Sequence, residues 1–172
     1  MIGLERGRVE LVPHDERWAR LFEREADRLR SVLTDGVVTI EHVGSTAIAG
    51  VPAKPIIDIL VVAETVGDRE TWSRDLDALG YTFRPNDAVE DRHFFAKGPE
   101  DDRTHYLSIT EAGSKTHTEQ LAFRDYLREH PREARRYARV KAELAERFAE
   151  DRATYTESKS GFVRAILEQA TE

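Results

Sequence analysis

The chain has 172 residues, 40% hydrophobic and 34% charged, with no cysteine and a formal net charge of −7. This size suits one domain, 1–172, with a real core. The missing cysteines exclude disulfides and thiolate metal sites, and the acidic balance argues against a general nucleic-acid binder working through a basic surface. The longest apolar run, Ile59 to Ala63, is far too short to cross a bilayer, and the first residues lack the apolar core of a secretory signal. The expectation is a cytoplasmic protein with no membrane contact.

Trp18, Leu21, Phe22, Leu29, Val32 and Leu33 recur at helical spacing and predict a helix over 15–33, stopped by Asp35-Gly36. Val37–Val43 and Pro55–Val62 are rich in β-branched residues and read as strands. A helix over 68–79 follows, with Trp72, Leu76 and Leu79 facing inward and Gly80 as its stop. Strands at 81–84, 92–96 and 104–110 complete a sheet over 37–110. The C-terminal portion, about 116–169, is helical, with helices over 116–129, 131–148 and 156–169. Pro131 opens the second of these, where its missing N–H costs little.

The chemistry concentrates between Ile40 and Val62, in a strand, a Gly-Ser turn, a short connection and a second strand. Gly44 admits a ligand close to the backbone. Ser45 and Thr46 offer hydroxyls, and a helical turn starting there presents free N–H groups to phosphate oxygens. Lys54 is placed to neutralise a phosphate. Asp58 is the only charge between Lys54 and Glu64, which makes it either a metal ligand beside substrate phosphates or the partner of a buried arginine. The bland alternative makes Ser45 and Thr46 simple helix caps.

The run EHVGSTAIAGVPAKPIIDILVV, from Glu41 to Val62, resembles the GrpB family, as do Leu79-Gly80-Tyr81, Arg92-His-Phe-Phe95, Arg103-Thr-His105 and Leu121 to Arg128. Pro131, Tyr137, Lys141, Tyr155 and Lys159 also fit the family pattern, so the resemblance covers about 18–166. It implies an α+β fold of the DNA polymerase β-like nucleotidyltransferase superfamily, a mixed sheet flanked by helices. It also implies a phosphorylated ligand, nucleotide or coenzyme A-related, bound between the sheet and the C-terminal helices. In some bacteria such domains are joined to dephospho-coenzyme A kinase. The ligand set implied is His42, Gly44, Ser45, Thr46, Lys54, Arg92, Arg124, Lys141 and Lys159. Asp58 and His105 are the catalytic candidates, and Asp58 with Glu41 the ligands for Mg²⁺ or Mn²⁺.

Metal-dependent nucleotidyl transfer uses two or three carboxylates around paired ions. The superfamily places a second acid two residues after the first, where this chain has Leu60. The strand over 104–110 carries no third acid, leaving Glu41, Glu90 and Asp91 as substitutes. Tyr106 and Ser108 stand where the family pattern has histidines. His42, His93 and His105 fall on strands of one sheet, where strand histidines are more often structural than metal-binding. An inward Lys141 requires a partner, Asp58 or a phosphate, whereas Arg128 reads as a surface residue paired with Asp125, Glu129 or Glu133. Three functions follow: metal-dependent nucleotidyl or pyrophosphoryl transfer, ligand binding without turnover, and an adaptor that meets a protein partner through its helices.

Overall fold

The computed structural model describes residues 2–85 and 89–171. Its strands are β1 (Val37–Val43), β2 (Ile57–Ala63), β3 (Tyr81–Phe83), β4 (Arg92–Lys97) and β5 (His105–Glu111). They form one sheet in the order β1-β2-β5-β4-β3. β2 and β5 run parallel, and the other neighbours are antiparallel. The helices are α1 (Arg17–Val32), α2 (Glu70–Asp77), α3 (Lys115–Glu129), α4 (Pro131–Arg147) and α5 (Arg152–Ala170).

The two faces of the sheet are covered by different helices. Strand side chains alternate, so Ile57, Ile59 and Val61 of β2 share one face with Leu107 and Ile109 of β5. That face packs on Trp18, Phe22, Ala26 and Leu29 of α1 and on Trp72 and Leu76 of α2. The α1 residues recur every three or four positions and form one apolar stripe. Burying each large side chain contributes about 1.5–3 kcal/mol. The opposite face carries Val43, Leu60 and Val62 with Leu121 of α3. Beside it, Ile48 and Val51 of the β1–β2 connection join Phe123, Leu127, Ala134, Tyr137 and Ile166 of α3, α4 and α5 in a second core.

The architecture is the α+β arrangement expected, with small shifts of boundary. β2 begins at Ile57, because the chain before it is held by an isolated bridge from Ala53 to Val12. The last helix begins at Arg152, four residues before the expected start, because the Asp151 carboxylate caps it by accepting from the Thr154 N–H at 3.1 Å. No helix among the described residues is long and apolar enough to cross a membrane.

A candidate anion-binding site between the sheet and the C-terminal helices

Val43, the last residue of β1, lies opposite Asp58 of β2, so the next residue must pass directly over the carboxylate. Gly44 does so with φ 74° and ψ −171°, a conformation essentially reserved for glycine. A Cβ there would stand 2.6 Å from Asp58 Oδ2. The chain then turns through one 3₁₀ turn, Ser45–Ala47. Thr46 Oγ1 pairs with His42 Nε2 at 2.9 Å, and Ser45 Oγ lies 3.4 Å from the Tyr137 hydroxyl of α4. From outside, Arg128 of α3 donates from Nε to the Ala47 carbonyl at 2.9 Å. Arg128 is exposed, as expected of a surface residue, and this carbonyl is a partner beyond the acids expected for it. Arg128→Ala is expected to lower stability by about 1 kcal/mol, read as a lower urea midpoint.

Asp58 opens onto a cavity of about 620 Å³ lined by the turn, by β2, β4 and β5, and by α3, α4 and α5. Seven cationic side chains line it: Lys54, Arg92, Lys115, Lys141, Arg152, Lys159 and Arg164. Only two carboxylates, Asp58 and Glu119, oppose them. A protein of formal net charge −7 thus concentrates a formal balance of +5 in the side chains of one concavity. Such focusing draws anions into a cleft.

The cations are held there against their own repulsion. Burial, with Lys159 and Arg152 nearby, pulls the Lys54 ammonium down to about 8, while Asp58 works the other way. Lys141 is 3% exposed and donates from Nζ to the Pro52 carbonyl at 2.9 Å, with its ammonium 5.2 Å from the Tyr137 ring centre. Burial and the neighbouring Lys159 and Lys54 push it well below the ordinary lysine range. Lys159 sits over the Tyr155 ring at 5.4 Å. Burial raises the Asp58 carboxyl, against the pull of Lys54, Lys159, Lys141 and Arg92. Arg92 donates from Nη1 to Ser108 Oγ at 2.9 Å, and its guanidinium stands over Phe94 at 5.0 Å. Its Nε and the Tyr155 hydroxyl are buried without a hydrogen-bond partner among the described residues.

The structure therefore brings Gly44, Ser45, Thr46, Lys54, Asp58, Arg92, Lys141 and Lys159 to one cavity. The other expected site residues are placed elsewhere. His105 lies on the α1 face of the sheet, beside Ile57 in register, with Nε2 3.7 Å from Glu25 Oε2. His42 also turns to that face and stacks on Phe22 at 4.8 Å. Burial, with Arg128 and Arg124 nearby, pulls its imidazole down to about 4. His93 pairs with the Gly67 carbonyl at 2.8 Å, so the three strand histidines do not converge. Arg124 spans Glu41 at 3.5 Å, Asp125 at 2.9 Å and the His42 carbonyl at 3.2 Å, locking α3 to the end of β1 rather than lining the cavity. Arg152, Ser108 and Tyr137 join the site without having been singled out as ligands. Arg152 was obscured by the late start expected for α5.

A two-metal centre does not fit these residues. Leu60, at the second-acid position, is fully buried. β5 presents Tyr106 and Ser108 to the cavity. Glu41 is engaged by Arg124, and Asp91 accepts from the Thr116 N–H at 2.9 Å at the start of α3. Among the described residues no group of three or more acids or histidines is arranged to hold a metal ion.

A mixed sheet with a glycine turn over a strand aspartate, roofed by a helical layer rich in cationic side chains, is a nucleotidyltransferase-like fold. The Cid1 poly(U) polymerase in its Mg 3′-dATP-bound form superposes with a TM-score of 0.58 at 12% identity, over 85% of this chain and 49% of that one, and shares the fold alone. The model of the GrpB protein family matches residues 8–169, and the chain belongs to that family. The crystal structure of GrpB from Enterococcus faecalis superposes with a TM-score of 0.85 at 31% identity, over 94% of this chain and 96% of that one. The glutamate-rich protein GrpB of Alkalihalophilus pseudofirmus is 37% identical, over 98% of this chain and 99% of that protein. A dephospho-CoA kinase of Mycolicibacterium paratuberculosis is 35% identical over 79 residues, 44% of this chain and 19% of the kinase.

Proposed function

We propose that the protein binds a nucleotide or related polyphosphorylated small molecule, with the phosphates among Lys54, Lys141, Lys159 and Arg92. The observation that carries this reading is the formal balance of +5 in the side chains of the cavity, in a chain of formal net charge −7. Three lysines gathered around one carboxylate repel one another, and an anion of several charges relieves that repulsion. The glycine turn supports the same reading, because it leaves the approach to Asp58 free of a side chain. A coenzyme A-related ligand is included in this class by the partial match to a dephospho-CoA kinase.

The test is a thermal-shift screen of ATP, GTP, CTP, UTP, dephospho-coenzyme A and coenzyme A. A ligand that binds only the folded state adds about 2.7 kcal/mol at 100 times its dissociation constant. The expected result is a shift by at least one of these, lost in Lys54→Gln/Lys159→Gln. The absence of any shift at millimolar concentration overturns the reading.

The protonation of Lys54 supplies a second check. Its ammonium is pulled down to about 8 from an ordinary 10.5, and a bound phosphate favours the charged form. Affinity for a triphosphate is therefore expected to fall as pH rises through 8, with proton uptake on binding near that pH. The ligand-free protein behaves oppositely. Between pH 8 and 10.5 the unfolded chain holds more protons at this residue, so its contribution to stability rises with pH. Calorimetric titrations in buffers of different ionisation enthalpy read the proton uptake directly.

Nucleotidyl or pyrophosphoryl transfer is the second reading, favoured by the close approach of Gly44 to Asp58. Its measure is pyrophosphate or nucleoside monophosphate release, abolished by Asp58→Asn.

A further inference from the structure

We infer that the lysines of this cavity take the place of the divalent metal ions, so that the polyphosphate is bound directly by protein cations and its binding requires no metal. This rests on the polyphosphate reading above and adds how the charge of the ligand is neutralised. Two observations carry it, one on the acids and one on the cations.

The acids that hold paired metals are not merely few. Their places are taken by groups engaged in other ways. Leu60 is buried in the apolar patch with Val43 and Val62. On β5 the cavity meets Tyr106 and Ser108 rather than an acid, with Ser108 accepting a hydrogen bond from Arg92, and Glu41 is bound to Arg124. A magnesium ion held by protein is bound through one or two carboxylates beside substrate phosphates and otherwise keeps its waters. Here the carboxylates lining the cavity are Asp58 and Glu119, and Glu119 of α3 faces Lys115 at 3.9 Å. Asp58 is also surrounded by charge of the wrong sign for a second cation, since Lys54, Lys159, Lys141 and Arg92 all act on it.

The cations come from four separate elements. Lys54 precedes β2, Arg92 opens β4, Lys141 lies on α4 and Lys159 on α5. Lys141 is buried with one hydrogen bond among the described residues, to the Pro52 carbonyl, and an ammonium has three protons to donate. Arg92 has a buried Nε without a partner among the described residues. These donors enclose a space from several directions, as the oxygens of a phosphate chain require, and they supply the positive charge that Mg²⁺ brings to a nucleotide elsewhere. Asp58 then acts as the counter-charge that lets the lysines gather in the ligand-free protein.

The experiment is isothermal titration of the intact protein with ATP, once in EDTA and once in excess Mg²⁺, repeated with Asp58→Asn. The inference predicts binding in EDTA that is as tight as, or tighter than, binding in Mg²⁺, because the magnesium complex presents less negative charge to the lysines. It also predicts that Asp58→Asn tightens ATP binding in EDTA by about threefold or more, since removing the carboxylate removes a repulsion. Lys159→Gln should weaken it in both conditions. Binding that appears only with Mg²⁺ overturns the inference and leaves the polyphosphate reading intact. No binding in either condition overturns both. The comparison within the unsubstituted protein decides the matter even where Asp58→Asn fails to fold.

Discussion

Replacing Glu25 by alanine is expected to lower the folding free energy by about 3 kcal/mol, although the residue is far from the cavity. Glu25 lies in the middle of α1 and is 1% exposed. Its carboxylate receives the Lys97 ammonium at 2.8 Å and the Tyr81 hydroxyl at 3.1 Å, with Arg28 at 3.3 Å and His105 Nε2 at 3.7 Å. The cluster ties α1 to β3, β4 and β5. Alanine leaves a buried phenol without its acceptor and a half-buried ammonium without its counter-ion, whereas Glu25→Gln keeps the volume and one acceptor and should cost less. Chemical denaturation of the two variants measures both effects.

The same cluster sets a direction for acid sensitivity. Burial alone raises the Glu25 carboxyl, but Lys97, His105 and Tyr81 together hold it below its ordinary value of 4.5. A group lowered in the folded state stabilises above its unfolded pKa, and that contribution disappears as pH falls through the folded value. Burial brings His105 down to about 4 from 6.5, in opposition to Glu25. Between those two values the unfolded chain binds the extra proton, so stability falls as pH drops from 6.5 towards 4. Both groups act in one sense, and denaturation midpoints are expected to decline steadily below pH 6.5.

Gly44→Ala carries the second large effect. The backbone conformation at Gly44 is costly for any residue with a Cβ, and the added carbon would meet Asp58 Oδ2 at 2.6 Å and Asp58 Cβ at 3.2 Å. Neither β1 nor β2 has room to retreat, since Val43 and Asp58 are register partners and Val43 is buried against Leu60. The combined cost is about 3 kcal/mol. The carboxylate is the softer element and should swing toward the lysines. Gly44→Ala should therefore lose anion binding together with stability, whereas Glu25→Ala should lose stability and retain affinity where it folds. Measuring both quantities for both variants separates the site from the frame that holds it.

These two positions also mark what a reader of the sequence can see. Gly44 and Asp58 are visible because a lone carboxylate in an apolar strand and a Gly-Ser turn 13 positions before it are local patterns. The strands and helices are visible through periodicities of two and 3.6 residues. Glu25 is three positions past Phe22 and four before Leu29, on the inward stripe of α1. Yet a glutamate among Arg24, Ala26 and Asp27 reads as solvated until Lys97, Tyr81 and His105 are known to meet it. His105 illustrates the same limit, because alternation along a strand tells which residues share a face but not which face meets α1 and which meets the cavity. The contacts by which Arg128 and Arg124 hold the chain around the turn escaped for a further reason. They are made to the backbone carbonyls of Ala47 and His42, which no side-chain pattern can signal.

What matters most is whether the cationic cavity holds a polyphosphate. The direct measurement is calorimetric titration of the protein with ATP and, separately, with inorganic tripolyphosphate, at low and at physiological salt, beside the Lys54→Gln/Lys159→Gln variant. The predicted result is saturable one-to-one binding that weakens with salt and is lost in the variant while its melting behaviour stays cooperative. An absence of heat for both ligands at low salt, or binding that the variant leaves unchanged, would contradict it.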